Sequence, residues 1–276
     1  MEQRTAVITG GGGDMGVACA RRLAPSYRLI LAELDESRLD AARARLAEEG
    51  IDALGQPLDV SDAAAVRGLA QRAAVEGGLG ALVHTAGLSP TMADGARIWS
   101  VNLVGTALLM DAFRPLAREG SVAVLIASQA GHFARAAMPP ALETLLDAPL
   151  DSDFLDRVLA LGSGLDTPGG AYGGSKYGVI RLAIRESVAW GAVGARVVSL
   201  SPGIIDTGMG QQEYASQPFM KTMVEKTPLG RMGLADEIAK AVAFLCSDAA
   251  SFVTGTDLLV DGGSTEQVRA LLATAA

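Results

Sequence analysis

Apolar, β-branched runs alternate along this chain with longer segments of helical period, and that alternation limits the fold more than any other feature. Ala6 to Thr9, Leu29 to Ala32, Ala81 to Val83, Ser121 to Ala127, Val197 to Leu200 and Leu258 to Val260 read as buried strands. Between them Leu39 to Glu49, Ala63 to Val75, Trp99 to Ala112, Lys176 to Ala189 and Asp236 to Leu245 repeat with helical spacing. Strand and helix in regular turn imply a parallel sheet covered by helices on both faces. With 49% hydrophobic residues in 276, the chain can bury one substantial core, so residues 1–276 are expected to form a single doubly wound α/β domain of about seven strands. In such a sheet the binding crevice lies beyond the carboxyl ends of the strands, which directs attention to the residues just after each one.

The first strand runs into Thr9-Gly10-Gly11-Gly12-Gly13-Asp14-Met15-Gly16 and then an Ala-rich helix. Glycines there permit a tight turn and let backbone N–H groups and a helix N-terminus approach a pyrophosphate. Gly11, Gly13 and Gly16 meet the GxGxxG spacing, although four consecutive glycines also describe a flexible loop. The second strand ends at Glu33, where a carboxylate can accept from adenosine ribose hydroxyls and would repel a 2′-phosphate. Neither its immediate neighbours nor the glycine loop offer an Arg or Lys, which favours NAD over NADP. The other reading of Glu33 is a helix cap, a role that suits Asp35 better. Asp59, followed by Val60, closes the third strand region; it can accept from an adenine amino group or equally cap a helix beside Ser61 and Asp62.

In the second half Ser128 directly follows a strand, and Tyr172 and Lys176 stand four residues apart on one face of a helix. A phenol is a poor base at neutral pH, and a nearby ammonium favours its ionised form. Tyr172 also has an ordinary reading as a half-buried tyrosine.

Taken in order, these motifs resemble the short-chain dehydrogenase/reductase family, with the bacterial hydroxysteroid dehydrogenase/carbonyl reductase members as the nearer likeness. The resemblance includes Thr9 to Gly16, Asp59-Val60, and His84-Thr85-Ala86-Gly87 where the family has Asn-Asn-Ala-Gly. It continues through Asn102, Ser128, Tyr172 with Lys176, Ser201 to Thr207, and Val260 to Gly263. It implies a Rossmann-like fold in which Tyr172 exchanges the proton, Ser128 orients the substrate oxygen and Lys176 also holds the nicotinamide ribose. Asn102 would support a water relaying protons towards Lys176. Gly10, Gly13, Asp14, Met15, Gly16, Glu33, Asp59, Val60, Ala86, Gly87, Pro202, Gly203, Ile205 and Thr207 would join Tyr172 and Lys176 in contacting the dinucleotide.

Three departures stand out. Asp14 replaces a glycine of the family pattern, and is expected to turn away from the pyrophosphate and cap the first helix. His84 replaces an asparagine and is expected to be neutral and hydrogen-bonded below the cofactor, a titratable gate being the other reading. The third is length: the stretch between Ser128 and Tyr172 far exceeds the dozen or so residues the resemblance implies. The extra piece, about 133–168, reads as a helical insertion with amphipathic segments at Ala141 to Leu146 and Phe154 to Leu161. It either walls the substrate pocket, covers a subunit-contact face, or is a passive surface addition. A further segment, about 208–227, carries Met209, Tyr214, Phe219, Met220 and Met223 and reads as a lid or simply as core.

The expected activity is therefore NAD(H)-dependent interconversion of a secondary alcohol and a ketone on a fairly apolar, steroid- or terpenoid-like substrate. The alternatives are a ketoacyl-thioester or sugar/polyol reductase, for which Arg135, Arg157 and Arg231 are the few basic candidates, and a non-catalytic nucleotide sensor. A net charge of −8 without a basic run argues against nucleic acid and anionic membranes as partners. Cys19 and Cys246 lack metal-ligand spacing and read as small core residues; no metal is expected. With no apolar leader or bilayer-length run, a cytoplasmic protein is expected. Family relatives imply a homodimer or homotetramer.

Overall fold

A computed structural model describes residues 3–135, 138–216 and 218–275. Strands β1 (Thr5–Thr9), β2 (Arg28–Glu33), β3 (Ala53–Pro57), β4 (Leu79–His84), β5 (Val122–Ile126) and β6 (Arg196–Pro202) alternate with helices, as the sequence periodicity implies. The short β7 (Ile205–Asp206) and β8 (Gly233–Leu234) pair with each other, and β9 (Asp257–Val260) completes the main sheet. That sheet has seven strands, all parallel, in the order β3-β2-β1-β4-β5-β6-β9. The order reverses at β1, between β2 and β4, which opens a crevice at their carboxyl ends.

Alternation along each strand feeds two cores. On β1, Val7 packs into one cluster while Ala6 and Ile8 enter the other. The Ala6 and Ile8 side is covered by α1 (Asp14–Leu23), α2 (Glu36–Glu48) and α12 (Ala235–Leu245), through residues such as Cys19, Leu39 and Ile238. The Val7 side is covered by α3 (Ala63–Val75), α4 (Gly95–Trp99), α5 (Gly105–Phe113) and α9 (Pro168–Gly191). Asp35 and Asp62 cap α2 and α3, each accepting two backbone N–H groups. Cys19 and Cys246 are buried and unbridged, and burial pushes both thiols up, Cys246 to about 12.

The continuous helix expected over Trp99 to Ala112 is interrupted: Ser100–Val104 forms a π-helical turn between α4 and α5, with Asn102 at its centre. Such turns arise where an extra residue is accommodated in a helix, often at a functional site.

The insertion consists of α7 (Pro140–Leu146) and α8 (Phe154–Ala160), following α6 (Gln129–Arg135). It is no passive surface addition. Leu142, Leu146, Phe154, Val158 and Leu165 are buried in the Val7-side core, and Phe154 meets Trp99 edge-on at 6.1 Å. Trp99 Nε1 donates to Leu165 O at 2.9 Å, and Glu143 and Asp147 bind Tyr177 and Arg181 on α9. The remaining helices are α10 (Gly208–Ser216), α11 (Pro218–Lys226) and α13 (Ser264–Ala275). No helix among the described residues is long and apolar enough to cross a membrane.

Candidate active site

Beyond the β1 end the chain turns through Gly10, at φ +68°, where a Cβ would lie 2.7 Å from Ala86 N. A Cβ at Gly16 would lie 2.3 Å from Gly10 O, so the loop and the first turn of α1 close together only because both positions are glycine. This leaves the α1 N-terminus, with no side-chain cap, facing the crevice, and fits the loop to an extended dinucleotide.

Asp14 does not cap α1 as expected. As the first residue of that helix it reaches across to α10, where its Oδ2 accepts from Gly208 N at 2.8 Å. A carboxylate at the N-terminus of α10 also meets the positive end of that helix.

Glu33 stands at the end of β2, with Oε2 accepting from Gly12 N at 3.1 Å and Oε1 from Leu34 N at 2.9 Å. A cation that sequence neighbours did not reveal is also present: Arg38, on α2, lies so that a Cβ built on Gly13 would be 3.6 Å from its Nη2. Asp59 accepts from Ser61 N and pairs with Arg97 at 3.0 Å. Burial works to raise its carboxyl pKa, but Ser61 and Arg97 outweigh it and hold it below the usual range. Val60 closes behind it against Gly105.

Residues from both halves of the chain line a cleft of about 560 Å³ at the strand ends. Ser128, Tyr172 and Lys176 converge there, with Gly87, Gly203 and Thr207 on its walls. Lys176, almost fully buried, donates from Nζ to Ile126 O at 2.8 Å and sits 6.0 Å from the centre of the Tyr172 ring. Burial lowers its pKa to about 8. For Tyr172 burial is again the largest influence, pushing the phenol to about 12; the Glu213 carboxylate adds to the rise and the Ser128 hydroxyl opposes it. The simple expectation of a phenol brought down by Lys176 is thus opposed by its apolar setting.

Asn102 holds the loop after β4: Oδ1 accepts from Leu88 N at 2.7 Å and Nδ2 donates to Leu88 O at 2.9 Å. It pins the strand-β4 loop beside Lys176, since a Cβ at Gly87 would sit 3.2 Å from Asn102 Oδ1 and 3.4 Å from Lys176 Nζ. Below it, the Thr106 hydroxyl donates to Asn102 O at 2.6 Å, which leaves its oxygen to accept from His84 Nε2 at 2.9 Å. His84 Nδ1 then accepts from the Thr9 hydroxyl at 2.6 Å. Burial first, and the Lys176 charge second, lower its pKa to about 3, so His84 is neutral and structural as expected.

The insertion reaches the cleft through Met138 and Leu165, and α10 and α11 reach it through Met209, Phe219, Met220 and Met223. Tyr214, grouped with them in the sequence, does not line it. Two functional candidates escaped sequence reasoning: Arg38, and Glu213 on α10. Met209 and Glu213 stand four apart, so helical spacing carried the signal for the second.

The profile described as short chain dehydrogenase matches residues 4–140, and that described as enoyl-(acyl carrier protein) reductase matches residues 160–265. A short-chain dehydrogenase/reductase of Alternaria brassicicola, bsc3, is 34% identical over 96% of each chain. A cis-4-hydroxycyclohexanecarboxylate dehydrogenase of Sinomonas cyclohexanicum is 33% identical, over 95% of this chain and 97% of that one. The expected hydroxysteroid likeness is present too: a 3-alpha-hydroxysteroid dehydrogenase/carbonyl reductase of Comamonas testosteroni is 33% identical over 67% of this chain and 72% of its own. Among solved structures, a glucose/ribitol dehydrogenase of Brucella melitensis superposes with TM-score 0.74 at 31% identity, covering 96% of this chain and 97% of that one. With its seven-stranded parallel sheet, its glycine loop and its Tyr172, Lys176 and Ser128 around one cleft, the chain belongs to the short-chain dehydrogenase/reductase family.

Proposed function

We propose that this protein is an NAD(H)-dependent oxidoreductase that interconverts a secondary alcohol and a ketone on a largely apolar, cyclic substrate. The observation that carries the reading is the convergence of Tyr172, Ser128 and Lys176 in a cleft whose larger apolar side chains include Met138, Met209, Met220, Met223, Leu165 and Phe219.

A nicotinamide dinucleotide, when bound, supplies the hydride acceptor or donor. Gly10, Gly13, Met15 and Gly16, with Glu33, Asp59, Val60, Ala86, Gly87, Pro202, Gly203, Ile205 and Thr207, are the residues that would hold it. Tyr172 takes the substrate hydroxyl proton in oxidation and returns it in reduction. The Ser128 hydroxyl donates to the substrate oxygen as negative charge develops, and the Lys176 ammonium, fixed by Ile126 O, stabilises the phenolate. Asn102 holds the Leu88 loop against Lys176. Met209, Phe219, Met220 and Met223 exclude water from the reacting atoms.

NAD rather than NADP follows from Glu33 at the ribose position, with Arg38 as the group that limits the preference. Relatives named for a hydroxycyclohexanecarboxylate and for glucose/ribitol support a secondary alcohol, and the apolar lining favours a carbocycle over a polyol. A thioester or phosphosugar substrate loses support because Arg157 and Arg231 are paired with Asp151, Asp153 and Glu237, and neither they nor Arg135 line the cleft. A non-catalytic sensor would have no use for the phenol, ammonium and hydroxyl together. Exposed Ile184 and Val188 on α9 support a homo-oligomer, and two unbridged cysteines a reducing, cytoplasmic setting.

The test is NADH absorbance with a panel of cyclic ketones and alcohols, wild type against Tyr172→Phe. Turnover lost in the variant while NADH still binds supports the reading; turnover near the wild-type rate in the variant overturns it.

A further inference from the structure

Resting on that reading, we propose that Glu213 is the second anchor of the substrate, and that the preferred substrate is an otherwise apolar cyclic ketone or alcohol carrying a cationic amine. Lys176 and Glu213 are the two charged side chains among the described residues that line the cleft. The first is committed to Ile126 O below the reacting centre. The second stands on α10 four residues from Met209 and lines the same cleft as Tyr172, Met220, Met223, Phe219 and Leu88.

Glu213 is only partly exposed, and no Lys, Arg or His among the described residues comes within ion-pair distance of it. Its neighbour is the fully buried Ser89 hydroxyl, which is shared with Thr91. Burial accordingly raises the carboxyl pKa, with Ser89 opposing. A carboxylate drawn out of water without a counter-charge is costly, and a cation supplied by the ligand removes that cost. The same charge raises the pKa of Tyr172, so a bound cation would also ease removal of the alcohol proton.

The choice among donors follows from the rest of the wall. The Met209, Met220, Met223 and Phe219 side chains that line the cleft with Glu213 offer a polyol no hydrogen-bonding partners, and its neutral hydroxyls would leave the carboxylate without a counter-charge. A substrate carboxylate or phosphate would meet Glu213 as a like charge. One cationic centre on a carbon skeleton satisfies both the charge and the apolar walls.

The test compares N-methyl-4-piperidone, protonated at its ring nitrogen, with 4-methylcyclohexanone, nearly the same shape without the charge. Wild type should favour the amine in kcat/KM by about tenfold to a hundredfold, mostly through KM, the scale of one desolvated charge-assisted contact. In Glu213→Gln that preference should fall by about tenfold or more while the neutral ketone keeps its rate or gains, and Glu213→Asp should restore part of it. Equal use of the two ketones by wild type, or equal losses for both in Glu213→Gln, overturns the proposal. Turnover of the neutral ketone that depends on Tyr172 shows that the oxidoreductase reading survives such a failure. If neither ketone is reduced, calorimetric titration of each into the enzyme with NADH decides: tighter binding of the amine, lost in Glu213→Gln, supports the anchor, and any other result overturns it.

Discussion

The Asp14 carboxylate, in the glycine loop, accepts at 2.8 Å from the N–H of Gly208, the first residue of helix α10. A residue that breaks the family's glycine pattern thereby connects the glycine loop to α10, 194 residues further along the chain. A charged acceptor at a helix N-terminus contributes about 1 kcal/mol. Asp14→Ala should therefore speed amide exchange over the first turn of α10 by about fivefold, with little change in β1 or α1. Unchanged exchange at Gly208 to Gln211 would show that the contact does not hold the first turn of α10.

The contrast between this contact and the features visible in the sequence follows from range. Strands such as Val122 to Ile126 and the pair Tyr172 and Lys176 are specified by neighbours within a turn or two, so periodicity and spacing reveal them. Asp14 and Gly208, or Arg38 and Gly13, meet only after the sheet has assembled, and no local pattern marks them. Glu213 lay within reach, four residues from Met209 on one helical face, but Lys221, Glu225 and Lys226 in the same stretch carry charge too, and spacing alone does not tell which of them meets the cleft. The insertion shows the same limit. Its amphipathic segments were evident, yet that their apolar faces seek Trp99 and Leu103 depends on the position of α9.

Deleting the insertion's main anchor should therefore cost stability as well as pocket shape. Phe154 is buried against Trp99 on the Val7-side core, and Phe154→Ala should destabilise the fold by about 3–5 kcal/mol. For a chain of this size that lowers Tm by about 10 °C, provided unfolding is two-state. A fall of only a degree or two in thermal unfolding followed by circular dichroism would mean that the insertion is not integral to the core.

The pH dependence should expose the neighbours of the Tyr172 phenol, the proposed acid and base. Burial, then Glu213, raise Tyr172 to about 12, the Ser128 hydroxyl opposes, and burial holds Lys176 at about 8. With its pKa raised, the phenol keeps its proton through neutral pH, so oxidation, which needs a base, gains as pH rises. Reduction, which needs the proton, declines only on the alkaline side. At those pH values Glu213 is ionised, and Glu213→Gln removes a negative neighbour; the rising limb for oxidation of a neutral alcohol should move to lower pH. Ser128→Ala removes a donor to the phenolate, should move the limb to higher pH, and should cost about 100-fold or more in kcat. Profiles of kcat/KM against pH for the three proteins check both directions, and coincident limbs would show that neither group acts on the phenol.

Cofactor choice should turn on two side chains of opposite charge. Glu33 accepts from Gly12 N at the β2 end, the position that the proposed reading gives to the adenosine ribose, while the Arg38 guanidinium lies beside Gly13. With Glu33 present, a 2′-phosphate meets a negative charge; without it, Arg38 is free to pair with the phosphate. Glu33→Ala should shift the ratio of kcat/KM for NADPH over NADH upward by about 10- to 100-fold, and adding Arg38→Ala should cancel most of that gain. The size follows from replacing one repulsive contact by one charge-assisted pair at a partly exposed site, where screening keeps the effect near 1.4–2.7 kcal/mol, about one to two powers of ten. Titration of NADH and NADPH against all three proteins distinguishes the outcomes. A single variant that remains as strict for NADH as wild type would remove Glu33 as the selecting group, and a double variant that keeps the NADPH gain would remove Arg38.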